Sequence, residues 1–169
     1  MAGAQPKAQS KSQSAAQPKA KPKARSTAAP GGAPDERPRG RTAPLDAVEA
    51  DRLFREGVAL FNGARYWHAH EAWETLWRAA PDEERDFYQG LIQVAAGFLH
   101  LARRNRRGAR NKLTEGVARL QPYQPIHQGI GVTELVRKSK EVLADLNAGA
   151  SPYLIPPNIR FVASTTVNR

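Results

Sequence analysis

The chain has 169 residues, a formal net charge of +10 and no cysteine. Disulfides, thiolate zinc sites and cysteine nucleophiles are therefore excluded, and the length suits a single domain. The charge is unevenly placed, with nine Lys or Arg against two acids in residues 1–44 and seventeen against fourteen in residues 45–169, so most of the basic excess precedes the foldable part.

Residues 1–43 are built mainly from Ala, Lys, Gln, Pro, Ser and Gly, without an aromatic side chain. Such a segment buries too little apolar surface to offset its ordering entropy, which predicts a disordered basic tail. It could act as a salt-sensitive arm for RNA or DNA, or simply as a solubilising extension. The tail is acid-poor and Ser-rich, as organellar import sequences are, but its prolines and missing apolar face count against that alternative. It has no apolar h-region of a secretory signal, so a cytoplasmic location is expected.

From Pro44 the pattern becomes helical. Pro44 suits a first-turn position, and Leu53, Phe54, Val58 and Phe61 recur at helical spacing until Asn62-Gly63. A second helix is expected from about Arg65 to Ala80, with Pro81-Asp82 ending it and opening a third that runs to about Arg104. The third carries two apolar stripes, Phe87, Leu91, Val94, Phe98 and Leu101 beside Tyr88, Ile92, Ala95 and Leu99, which marks it as central. Its richest apolar run, Gly90–Ala102, is too short and polar to cross a bilayer, so no membrane partner is expected.

A fourth helix is read over about Gly108–Leu120, ended by Pro122 and Pro125, and a loop continues through Gly129-Ile-Gly131. Thr133 is the expected cap of a fifth helix that runs to Leu146. Pro152–Pro157 should be extended and pack across the bundle. The predicted class is all-α, a compact antiparallel bundle of about five helices. Its domain spans residues 44–160, and 161–169 form a disordered extension. A weak repeat of period near 40 pairs Gly57, Ala69, Trp73 and Pro81 with Gly97, Ala109, Leu113 and Pro122, a helical-hairpin pattern with some tetratricopeptide character.

The residues that ask for chemistry lie in Tyr66–Trp77, which holds all three tryptophans and two of the four histidines. Tyr66, His70, Trp73 and Trp77 fall within about 60° on a helical wheel, with Glu74 about 40° beyond His70. On the third helix Gln89, Gln93, Ala96 and His100 form a polar line. If the two lines face each other, His70, Glu71, Glu74, Gln89, Gln93 and His100 make one polar pocket, with Tyr66, Trp67, Trp73 and Trp77 as its aromatic surround.

Three uses are open. His70 and Glu74, spaced i, i+4, could ligate a divalent metal with His100 as a third ligand, although the full zinc-protease and di-iron motifs are absent. A His–Glu pair could serve acid–base catalysis, although no separate nucleophile or phosphate loop accompanies it. The plainer alternative is a satisfied buried network in which His70 donates to Glu74 or a glutamine and the tryptophan N–H groups join. His68 points away and should be exposed, and His127 sits in a Pro/Gly loop with no readable signal. Arg103, Arg104, Arg106, Arg107, Arg110 and Lys112 crowd the turn between the third and fourth helices. They could bind an anion or RNA, or form a solvated turn, and no aromatic is interleaved as a stacking platform.

Phe61-Asn-Gly-Ala-Arg-Tyr-Trp-His-Ala-His-Glu-Ala-Trp-Glu, then Trp77, Phe87-Tyr-Gln-Gly-Leu-Ile-Gln-Val-Ala-Ala, His100 and Asn105-x-x-Gly108-Ala109 resemble the DUF309 family. The resemblance spans about residues 50–160. It implies a small all-helical domain whose biochemical role is undefined, and it transfers no catalytic assignment. The family's aromatic-x-x-His-Glu-x-x-Glu pattern maps to Trp67, His70, Glu71 and Glu74, and its Gln-Gly-x-x-Gln to Gln89, Gly90 and Gln93. His68 departs from the acid common at that place, and neither the basic tail nor so dense an arginine turn belongs to the pattern.

The leading expectation is a noncatalytic domain that binds a partner protein or a small ligand, without a cofactor. The rivals are a metal-assisted or acid–base enzyme and a nucleic-acid-binding accessory protein. Oligomeric state is not legible.

Overall fold

The computed structural model describes residues 40–150 and 156–162. Most of the disorder expected over 1–43 and 161–169, and most of the extended segment expected after Pro152, falls outside the described residues; of the expected tail, residues 40–43 are described, and the Thr42 amide bonds to the Arg78 carbonyl at 3.0 Å. Five helices follow in order: α1 (Ala47–Asn62), α2 (Tyr66–Ala79), α3 (Asp82–Ala102), α4 (Arg106–Leu120) and α5 (Val132–Asn147). A 3-10 turn over Gln121–Tyr123 and a small hairpin, β1 (Ile126–His127) with β2 (Ile130–Gly131), separate α4 from α5. The all-α class holds.

Two starts differ from expectation. Pro44 lies outside α1, because Asp46 is the better cap: its carboxylate accepts from the Glu49 amide at 2.8 Å. Thr133 does not cap α5, which begins at Val132 behind Gly131 with no side-chain cap. The β1–β2 turn sets it there, since the Val132 amide bonds back to the Pro125 carbonyl.

The hairpins α1–α2 and α3–α4 repeat one construction. In each, a glycine of the first helix lies beneath a large side chain of the second. A Cβ on Gly57 would sit 2.3 Å from Trp73 Nε1, and one on Gly97 would sit 2.6 Å from Leu113 Cγ. The turns match too: Ala64 and Arg104 both have φ of 58°, and the amides of Arg65 and Asn105 reach back to Leu60 and His100. Ala69 and Ala109 are fully buried at the close approach. The period of 40 is therefore built into backbone as well as side chains.

α3 is central, packed against α2 on one side and α4 on the other. Phe61, Trp73, Phe87 and Phe98 are fully buried, with Phe61 meeting Trp73 and Phe98 at ring-centroid distances of 5.9 and 5.7 Å. Aromatic pairs of this kind add to the transfer of apolar area out of water. The chain after α5 returns to close the bundle. Asn62 brackets the Ile159 backbone with two hydrogen bonds of 2.8 and 2.9 Å. Phe161 then bridges Ile130 and packs edge-on against Phe54. Phe161 and Val162 thus belong with the domain, beyond the boundary expected at residue 160, because the hairpin offers them a strand edge: the Val162 amide bonds to the Gly129 carbonyl at 2.8 Å.

Candidate functional site

α2 divides the signature between core and surface. Tyr66 and Trp73 are buried, Trp77 is half-buried, and Trp67 is 49% exposed. Helical phase explains the split, since Trp67 lies about 120° from Trp73. Trp67 stacks flat on His70, with ring centroids 5.5 Å apart and planes within 5°. His70 Nδ1 is 3.8 Å from Glu74 Oε2, too far for a hydrogen bond, and Glu74 instead pairs with Arg78.

The satisfied network expected around His70 is not formed. His70 Nδ1, Trp73 Nε1 and Trp77 Nε1 are buried without a hydrogen-bonding partner among the described residues. The physical reason is orientation. The Trp73 indole lies flat on Gly57 of α1, the Trp77 ring carries the Arg85 guanidinium 4.2 Å above it, and His70 is held by its stack on Trp67.

The flank of α2 holding His70 and Trp77 faces α3, because Trp77 meets Arg85 there. Along α3, Gln89, Gln93 and His100 follow Arg85 within about 80° of its phase, and all are half-buried. Among the described residues no hydrogen bond joins the two polar lines. Glu71 is exposed and reaches two shallow grooves, one shared with Glu74 and Arg78 and one with Glu56, Arg65 and His68 between α1 and α2. His68 is exposed, as expected.

His100 has a different employment. Its Nδ1 accepts from Asn105 Nδ2 at 3.2 Å, while Asn105 Oδ1 accepts from the Gly108 amide at 2.9 Å and caps α4. A Cβ on Gly108 would lie within 2.9 Å of the His100 ring. The pattern His100…Asn105-x-x-Gly108 is therefore a turn-closing unit. Among the described residues no three His, Asp or Glu side chains are grouped to hold a metal ion. His70, Glu74 and His100 do not form such a set, because His100 is drawn to the α3–α4 turn.

The arginine turn also divides. Arg106 and Arg110 donate to the carbonyls of Ala150 and Leu146 at 2.6 and 2.9 Å, at and just beyond the C-terminal end of α5 where cations are favoured. Lys112 pairs with Glu115 on its own helix. Arg103, Arg104 and Arg107 are exposed and remain the solvent-facing part of the cluster.

The best-formed His–Glu contact lies elsewhere. His127 Nε2 donates to Glu84 Oε2 at 2.8 Å, and the imidazole packs against Phe87 and Tyr123 at 4.5 and 4.7 Å. Beside it Tyr88 is buried, and that burial, with the nearby Glu84 carboxylate adding to it, pushes the phenol up to about 12. Sequence reasoning missed this arrangement. Glu84 reads only as an acid in the first turn of a helix, and its partner is 43 residues away. The available signal was the hairpin: Gln128 and Gly129 both take positive φ, a two-residue turn that folds His127 back.

Residues 54–111 match the family model of DUF309, a domain of unknown function. The resemblance carried by the aromatic motif is thereby borne out. The match is narrower than the span from 50 to 160, taking in the second half of α1, all of α2 and α3, and the first turns of α4. No curated protein matches the chain. Within the matched segment several of the motif residues have plain structural work: Asn62 holds the returning chain, Gly90 makes room for Leu120, and His100, Asn105 and Gly108 close a turn. Among the described residues Trp67 and His70 have no comparable task, and no helix is long and apolar enough to cross a membrane.

Proposed function

We propose that the DUF309 segment is a noncatalytic interaction module whose contact surface is the Trp67–His70 stack on α2. The observation that carries this reading is a large aromatic side chain, 49% exposed, stacked on an imidazole whose Nδ1 has no partner among the described residues. Tryptophan is the side chain most enriched where interfaces concentrate binding energy, because it combines large apolar area with a polar tip. Trp67 is pre-oriented by its stack, so little side-chain entropy is lost on docking. The partner is a protein that covers the indole face, with Glu74 and Arg78 at the polar rim.

The test is a pull-down with wild-type protein and Trp67→Ala, followed by calorimetry with each purified candidate. The expected result is binding weakened more than tenfold by Trp67→Ala with the melting temperature unchanged. A partner that binds both proteins equally would refute the surface assignment.

A further inference from the structure

The end of α2, the start of α3 and the β1–β2 turn flank a second, partly open site that shares no residue with the Trp67–His70 surface. A cavity of about 240 Å³ is lined by Leu45, Leu76, Ala79 and Pro81 on its apolar side and by Glu84, Tyr88 and Gln128 on its polar side. We propose that this cavity binds a small primary amine with an apolar body, its ammonium group on the Glu84 carboxylate.

Three observations lead there. Among the described residues lining the cavity Glu84 is the only charged one, and its carboxylate favours a cationic head there. The carboxylate is held in place, since Oε2 takes the 2.8 Å bond from His127 and the imidazole is wedged against Phe87 and Tyr123. One oxygen is thus committed to positioning, while Oε1 has no hydrogen-bond partner among the described residues, an arrangement suited to a charge-assisted hydrogen bond with a ligand. The walls are alkyl and proline surface, which gives an apolar body somewhere to leave water.

Size limits the class. Cavities that take drug-sized molecules run to roughly 300–1,000 Å³, so this one suits a single small ring or a short chain. A ligand carboxylate would face Glu84 with the like charge. A purely apolar ligand would strip water from Glu84 without supplying a partner. An amine meets both walls of the cavity.

The experiment uses the full chain and phenethylamine as probe, followed by amide NMR, with 2-phenylethanol as the uncharged match and phenylacetate as the anionic one. The expected result is saturable shifts centred on Ala80, Glu84, Tyr88 and Gln128 with phenethylamine, and at least tenfold weaker binding of the alcohol and the acid. Glu84→Gln should weaken phenethylamine at least tenfold while leaving 2-phenylethanol unchanged. Ala79→Leu, which fills the cavity and leaves the carboxylate alone, should abolish binding of both. If the alcohol binds as well as the amine, or if Ala79→Leu binds phenethylamine like wild type, the proposal is overturned. Loss of spectral dispersion in Glu84→Gln would move the decision to Ala79→Leu and the ligand series.

Discussion

Among the described residues two His–Glu pairs look alike in composition and differ in construction. His70 and Glu74 sit one turn apart on α2, and their closest atoms are 3.8 Å apart. Glu84 and His127 are separated by 43 residues and meet at 2.8 Å, with the imidazole enclosed by two aromatic rings. Spacing of i, i+4 brings two side chains to the same face without deciding where they point. A contact across elements has to be made by packing, and here packing holds the ring that makes it. The pair that advertises itself in the sequence is thus the looser one, because Trp67 and Arg78 each take one of its members away.

That contrast can be broken at the core first. Trp73→Ala should cost about 3–5 kcal/mol in urea unfolding, since the indole is fully buried between α1 and α3. A loss below about 1 kcal/mol would mean that α2 does not present this face inward, and the placement of His70 would fall with it.

The next largest effect belongs to Tyr88, beside the tight pair. Its phenol titrates near pH 12 in the fold against about 10 when unfolded. Between those values the folded state holds the proton that the unfolded state has lost, so stability falls as pH rises from about 10 to 12. The wild type should lose on the order of 2 kcal/mol more over that range than Tyr88→Phe, measured by urea unfolding at each pH. Parallel curves for the two proteins would remove Tyr88 from the buried surroundings of Glu84.

Comparing the histidines directly sharpens the contrast. His127→Ala should destabilise by about 1–2 kcal/mol, through the lost hydrogen bond and the unpaired Glu84 it leaves. His70→Ala should cost under about 1 kcal/mol, since its contact with Glu74 is long and partly exposed. Thermal unfolding of the two variants side by side decides the order, and the reverse order would restore the α2 pair as the structural one. The smallest effect is expected at Trp67→Ala, within about 0.5 kcal/mol, because that ring is half in solvent.

Much of the architecture was readable, and the reasons are local. Gly57 with Trp73 and Gly97 with Leu113 share the period of 40, and each glycine does lie under its large partner. The apolar stripes of α3 are buried on both sides, as its two-sided pattern implied. The misjudged starts were competitions between neighbouring signals: Asp46 outbid Pro44 as the marker of α1, and the hairpin displaced Thr133 from the cap of α5.

The site was read less well. Trp67 and His70 were singled out, and they are adjacent. Phase groups His100 with them, although Asn105 holds it at the end of α3. By sequence Arg106 and Arg110 are open to an anion or to solvent, and in the fold they reach the carbonyls of Ala150 and Leu146, 44 and 36 residues away.

By itself the sequence determined the helices, their pairing into two like hairpins and the central place of α3, because periodicity, capping and close-packed glycines act over a few residues. Only the tertiary structure decided which histidine meets which carboxylate, which arginines serve α5 and where the cavity lies. Those partners are chosen by the register of packed elements, and a side chain's neighbours across such a seam are not written within one turn of its own helix.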